Sequence, residues 1–206
     1  MSGQISINRI PFFIEIGANT FDNLLPLARQ GWRGIIVEPV KYYFDKLPEV
    51  AGVIYENVAI DSVKGTRTLY RLPPGVAEEV KTRTGWNAHG WASFSATHRD
   101  VVKYGVQDKL VAEQIDCITV DQLLLKHAVT SVELLVIDTE GNDYEILKTI
   151  PFKRLRPDSI RYETILIPEI EQFKAMELLL NVGYTLHRRA HDIVAETKTV
   201  PMQILL

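Results

Sequence analysis

Five short runs rich in β-branched and aromatic residues, near positions 12 to 16, 34 to 37, 53 to 60, 132 to 137 and 159 to 167, alternate with segments of helical spacing. This alternation constrains the fold more than any other feature of the chain, because continuous apolar runs of that length read as strands buried on both faces. The helical segments that supply the cover are Phe21 to Arg29, Val40 to Leu47, Val120 to His127, Asn142 to Ile150 and Glu169 to Val182. Strand–helix alternation predicts an α/β fold, a doubly wound and mostly parallel sheet with helices on both faces.

Local signals refine the picture. Asn142 followed by Glu145 has the spacing of a capping box, predicting a sharp turn from the strand ending at Asp138 into a helix. In the last long helix, Ile170, Phe173, Met176 and Leu180 recur at intervals of three and four, so they are expected to pack as one stripe, with Gly183 as the left-handed stop. Beyond it, Tyr184 to His187 and the stretch from about Ile193 onward alternate like an antiparallel hairpin around the turn Arg188 to Asp192. One stretch breaks the pattern. From about Thr66 to Glu113 the chain makes an excursion too long for an ordinary connection, and long excursions commonly carry function.

Composition excludes several classes. With 206 residues, 46% of them apolar and 24% charged, the chain suits one domain over 1–206, with residues 66–113 as an insertion in it. A net charge of −3 offers no global field for nucleic acid. The single cysteine, Cys117, fits a reducing compartment, and the opening residues lack a basic start and a long apolar stretch, so a cytoplasmic protein without a membrane span is expected. Nothing in the chain reads out an oligomeric state.

The first strand, Phe12 to Ile16, runs into Gly17-Ala18-Asn19-Thr20 and then a helix, a geometry that lets backbone approach a nucleotide-like ligand. An ordinary strand-to-helix turn has the same local sequence. What separates the two is Glu38, which ends the second strand about 20 residues beyond the glycine, before Pro39, where it can accept both ribose hydroxyls. A nicotinamide site would present Gly-x-Gly-x-x-Gly; here those positions read Gly17, Asn19 and Asp22, a loop suited to a ligand without a pyrophosphate.

The blocks Phe13 to Asn19, Val37-Glu38-Pro39, Asn57 to Ile60, Ile118 to Leu123 and Leu135 to Lys148, in that order, resemble the FkbM family of methyltransferases. The last block, Asp138-Thr139-Glu140-Gly141 followed by a helix, is the most distinctive. The resemblance implies a Rossmann-like class I methyltransferase sheet and S-adenosyl-L-methionine as donor, with S-adenosyl-L-homocysteine as product. It further implies that the loop Glu15, Gly17, Ala18, Asn19 and Thr20 holds the methionine part, that Glu38 and Pro39 border the ribose, and that Asn57 and Val58 flank the adenine. Ser93 resembles the family's serine segment near the cofactor. Where the family has a second glycine this chain has Phe21, a bulky residue at the methionine pocket.

The acceptor class implied is a hydroxyl on a sugar or related small molecule. Its proton needs a base, and Asp138, closing the fourth core strand, is the first candidate, with Glu140 close enough to raise its pKa. His89, between Trp86 and Trp91, is the second. In the bland reading Asp138 holds the cofactor amino group, Glu140 caps a turn and His89 is a surface histidine. Asp138, Glu140 and Asp143 offer oxygen ligands to a divalent metal, but Asp143 is expected to face solvent, which disfavours a metal site. Lys81, Arg83, His98, Arg99 and Lys103 make the excursion basic, either a solvated face or a welcome for a phosphorylated acceptor. Two other functions stay open on the residues alone: a nicotinamide-dependent oxidoreductase, and an inactive cofactor-binding module.

Overall fold

The computed structural model describes residues 9–20 and 23–197. Its strands are β1 (Phe12–Ile16), β2 (Arg33–Val37), β3 (Val53–Glu56), β4 (Ala59–Ile60), β5 (Gly65–Arg71), β6 (Val111–Ile118), β7 (Leu134–Ile137), β8 (Ser159–Glu163), β9 (Thr185–Arg189) and β10 (Asp192–Glu196). Its α-helices are α1 (Leu25–Arg29), α2 (Lys41–Phe44), α3 (Pro74–Thr84), α4 (Arg99–Lys103), α5 (Val120–Lys126), α6 (Asp143–Leu147) and α7 (Glu169–Val182). Seven strands form one sheet in the order β3-β2-β1-β7-β8-β10-β9. Pairing is parallel from β3 to β8, and β10 runs antiparallel to both β8 and β9.

The doubly wound, mostly parallel sheet and its closing hairpin are the architecture expected. Each central strand feeds two cores because successive side chains point to opposite faces. Ile14 and Ile16 of β1 join Ile35, Leu135 and Ile137 under α5, α6 and α7, whereas Phe13, Ile36 and Val136 pack on the other face against Leu25 and Ala28 of α1. The chain order reverses at β1, which pairs with β2 on one side and β7 on the other. In open α/β sheets the crevice beyond the strand ends at such a reversal is where ligands bind.

Several local expectations are corrected. The run at 53 to 60 is two strands in two sheets: the Asn57 amide donates to the carbonyls of Glu38 and Pro39 and turns the chain off the edge of β3 into β4. The run at 159 to 167 is strand only to Glu163, after which Thr164 binds the His191 carbonyl through its backbone N–H and its hydroxyl. The excursion is built, not loose: β5 and β6 form a second sheet with β4, in the order β4-β6-β5, and Leu72, Ala77, Val80, Ala88, Trp91, Val101 and Val106 make a core of their own.

Asn142 makes no side-chain cap; its amide reaches back to the Ile60 carbonyl and Asp61 instead. The reciprocal capping box is at Thr119 and Gln122, where α5 begins. In α7 the stripe Ile170, Phe173 and Leu180 is 63%, 57% and 55% exposed, and the helix seats itself through Ala175 and Leu179 with Met176 partly covered. The small Ala175 lets the helix approach the sheet, which rotates the larger residues outward. Gly183 does end α7 in the left-handed region, at φ +98°. Among the described residues no helix is long and apolar enough to cross a membrane.

Candidate active site

The site is assembled from the ends of β1, β2 and β7. Gly17 has φ +88°, and a Cβ placed there would lie 1.8 Å from the Asp138 carbonyl oxygen, so the turn after β1 rests directly on the end of β7. The Gly17 and Ala18 N–H groups both donate to the Val37 carbonyl, at 3.0 and 3.2 Å, stitching the same turn to β2. Only glycine satisfies both the backbone conformation and the contact.

Asn19 follows in the left-handed region at φ +53°. Its backbone N–H donates to Glu38 Oε2 at 2.6 Å, while Glu38 Oε1 accepts the Val40 N–H at 2.7 Å. Glu38 therefore binds the loop after β1 to the start of α2, and burial raises its carboxyl to about 7. The Asn19 amide nitrogen donates to the His89 carbonyl at 2.7 Å, latching the excursion onto the loop.

Above these residues opens a cleft of about 650 Å³ including its mouth. Gly17, Asn19, Glu38, Pro39 and Val58 line one part of it, and Asp138, Thr139 and Glu140 line another. Leu69, Ala92 and Phe94 from the excursion complete an apolar wall. Those three were missed in the sequence; Phe94, adjacent to Ser93, was the accessible signal.

Other expected residues act at one remove. Ala18 is fully buried in the core beneath α1. Asn57 holds the backbone of Glu38 and Pro39 rather than lining the cleft. Ser93 donates from Oγ to the Glu140 carbonyl at 3.0 Å, fixing the turn after β7. Thr20 lines a neighbouring groove with Tyr42, Tyr43 and His89. Glu15 lies buried on the α1 face; burial raises its carboxyl to about 7, with Asn23 and Arg161 opposing. Phe21 lies outside the described residues.

At the acidic end, burial raises Asp138 to about 6, with the nearby Asp192 adding to it. Glu140 is held at φ +54°, its Oε2 2.9 Å from His98 Nε2, and burial next to Asp138 lifts its carboxyl well above the usual range. Asp143 does not face solvent. It is fully buried at the start of α6, accepting from the Thr139 hydroxyl at 2.9 Å and from the Glu163 N–H at 3.3 Å. Burial and the nearby Asp138 raise its carboxyl to about 8, and no metal-binding group of three such side chains occurs among the described residues.

His89 is not sandwiched between tryptophans. Its ring contacts the Tyr43 hydroxyl at 3.2 Å and Glu78 at 3.0 Å in the neighbouring groove, Trp86 is exposed, and Trp91 is buried against His98 and Tyr104. Of the excursion's basic residues, His98 is buried, Lys81 pairs with Glu78 and Arg99 with Asp100, while Arg83 donates to the Tyr104 carbonyl and Lys103 lies over the Tyr104 ring.

Residues 15–188 match the family model described as the methyltransferase FkbM domain. The chain belongs to the FkbM methyltransferase family. As a family member with this sheet it is an S-adenosylmethionine-dependent methyltransferase, and the oxidoreductase reading is set aside. Solved structures similar to this FkbM protein include the ribosomal protein L11 methylase of Lactobacillus delbrueckii subsp. bulgaricus, at 9% identity and TM-score 0.38 over 92% of this chain and 70% of that one. The N-terminal domain of human METTL16 in complex with SAH is another, at 14% identity and TM-score 0.39 over 91% and 62%. The precorrin 8W decarboxylase of Methanobacterium thermoautotrophicum is a third, at 14% and 0.39 over 91% and 80%. No curated protein matches the FkbM chain.

Proposed function

We propose that this FkbM methyltransferase methylates a hydroxyl oxygen on a small-molecule or saccharide acceptor in the cytoplasm. The observation that carries the reading is that Asp138 and Glu140 line the same cleft as Glu38, so proton acceptors lie in the cavity that would hold the donor. The residues fit S-adenosylmethionine: Glu38 keeps lone pairs for ribose hydroxyls after accepting two backbone N–H groups, and Val58, Leu69 and Phe94 offer apolar surface to a purine. When bound, that group supplies an electrophilic methyl whose leaving sulfur departs neutral. The chain's own tasks are then to align the acceptor, exclude water and remove one proton. An alcohol needs such a base far more than an amine does, and carboxyls raised by burial suit the role near neutral pH.

The test is a product assay with S-adenosylmethionine carrying a ¹³C-labelled methyl group and a panel of methyl glycosides and simple polyols. The label is expected in an O-methyl ether. Label appearing only on nitrogen or sulfur of added amine and thiol acceptors contradicts the reading.

A further inference from the structure

Three parts of one segment of the excursion converge on Glu140. Gly90 borders its Oε1, where an added Cβ would come within 3.1 Å; Ser93 Oγ donates to its carbonyl at 3.0 Å; and His98 Nε2 lies 2.9 Å from its Oε2. The His98 tautomer follows from its other nitrogen. Nδ1 accepts the Asp100 backbone N–H at 3.3 Å as α4 begins, so a neutral ring carries its proton on Nε2 and donates it to Glu140. The His98 side chain is 3% exposed and stacked on Trp91, whereas the Glu140 side chain keeps 20% exposure and lines the cleft. One oxygen is held from behind while the other lies beside a residue with no side chain. Among the described residues no side chain donates a comparable hydrogen bond to Asp138, the neighbouring carboxylate. Glu140 also occupies a left-handed conformation that non-glycine residues adopt at a cost, and strain of this kind marks sites where geometry is held for function.

We propose that His98 is a positioning residue that locks the Glu140 carboxylate against the cleft, and that Glu140, not Asp138, takes the proton from the acceptor hydroxyl. This rests on the O-methylation reading above. In the step, the acceptor O–H bond breaks and its proton passes to Glu140 Oε1. The oxygen lone pair forms the new O–CH₃ bond as the C–S bond breaks, and that electron pair stays on sulfur. Of the charged groups acting on Glu140, Asp138 and Asp100 favour its protonated form and Arg99 opposes them, and Glu163 of β8 is a further acidic side chain coupled to it. Burial lowers the pKa of His98, with Asp100 opposing the shift and Arg99 adding to it. A hydrogen bond donated to the carboxylate favours the charged form. Losing the His98 donor therefore moves the acid limb of the kcat profile to higher pH, and removing the Asp138 charge moves it lower.

The experiment has two arms. In ¹⁵N-histidine spectra of the intact protein, His98 is expected as the Nε2–H tautomer across the neutral range, with a signal that moves in Glu140→Gln. An Nδ1–H tautomer, or a signal indifferent to Glu140→Gln, overturns the proposal. In the labelled-methyl assay, Glu140→Gln is expected to lose roughly 100-fold or more in kcat. His98→Phe, which fills the space without the donor, is expected to lose roughly 10- to 100-fold with the KM for S-adenosylmethionine unchanged and the acid limb shifted up. His98→Gln, which restores an N–H, is expected to recover part of both. Asp138→Asn is expected to retain more turnover than Glu140→Gln; the reverse order makes Asp138 the base and overturns the proposal. If the wild type labels nitrogen or sulfur acceptors but no hydroxyl, the O-methylation reading fails, and the proton-acceptor role of Glu140 fails with it. The spectra still decide whether His98 holds Glu140.

Discussion

Glu38→Ala is expected to lose at least 100-fold in affinity for S-adenosylhomocysteine while the protein still folds. The side chain has two tasks. It accepts the backbone N–H of Asn19 and of Val40, and in the proposed complex it also receives the ribose hydroxyls. Alanine leaves two N–H groups in a buried place without an acceptor, at about 1–3 kcal/mol each. Against that, it removes a carboxyl whose burial is costly, as its raised pKa of about 7 records, so the net loss of stability is on the order of 2 kcal/mol. Binding has no such offset. Two lost hydrogen bonds to a charged group, at about 1.5–3 kcal/mol each, amount to a factor of 100 or more. Glu38→Gln, which keeps one acceptor oxygen, should fall between. Calorimetric titration with S-adenosylhomocysteine, alongside denaturant unfolding, separates the two effects.

The second large effect belongs to Gly17→Ala. Its Cβ would lie 1.8 Å from the Asp138 carbonyl oxygen and 2.8 Å from the carbonyl carbon, and backbone in the middle of a sheet cannot swing aside like a flexible side chain. The left-handed conformation adds roughly 1–2 kcal/mol for any L residue, and the forced separation of β1 from β7 adds a comparable overpacking cost, for about 3 kcal/mol in total. At this chain length that corresponds to a fall in Tm of roughly 10 °C. Gly31→Ala is the control, because Gly31 has φ +97° but nothing within 4 Å of an added Cβ. It carries the conformational cost alone. Equal melting points for the two variants would show that the contact between the turn and Asp138 does not constrain the fold.

The frame of the sheet was legible because its central strands are fully buried. Runs such as Leu134 to Ile137, buried at every position, announce themselves without reference to any partner. Glu38 was legible for a related reason: strand, turn and helix lengths fix its distance from Gly17, so spacing alone carries it to the cleft beside the turn after β1. The excursion resisted reading because its strands are not buried in that way. β6, Val111-Ala112-Glu113-Gln114-Ile115-Asp116-Cys117-Ile118, is half exposed along most of its length, and only pairing with β5 and β4 makes it a strand.

The misreadings share a cause. Asn142 has the residue type and spacing of a cap, but Ile60 and Asp61, some eighty positions earlier, compete for its amide. In α7 the periodicity of Ile170, Phe173 and Leu180 is real, yet Ala175 decides which face docks, and a small residue gives no periodic signal. His98 looked like one more surface cation among Lys81, Arg99 and Lys103. Its meaning comes from Glu140, forty-two residues later in the chain, which no local pattern connects to it. The fold was set by local burial and the candidate site by tertiary contacts, so the first could be read in sequence and the second only in part.

The central claim is that the crevice beyond β1, β2 and β7 takes an adenosine carrying a sulfur-linked amino acid. Isothermal calorimetry of the wild-type protein, titrated in turn with S-adenosylhomocysteine and with NAD, tests this most directly. One S-adenosylhomocysteine bound per chain and no detectable heat from NAD are the expected results. Binding of NAD without S-adenosylhomocysteine, or of neither, would contradict the claim.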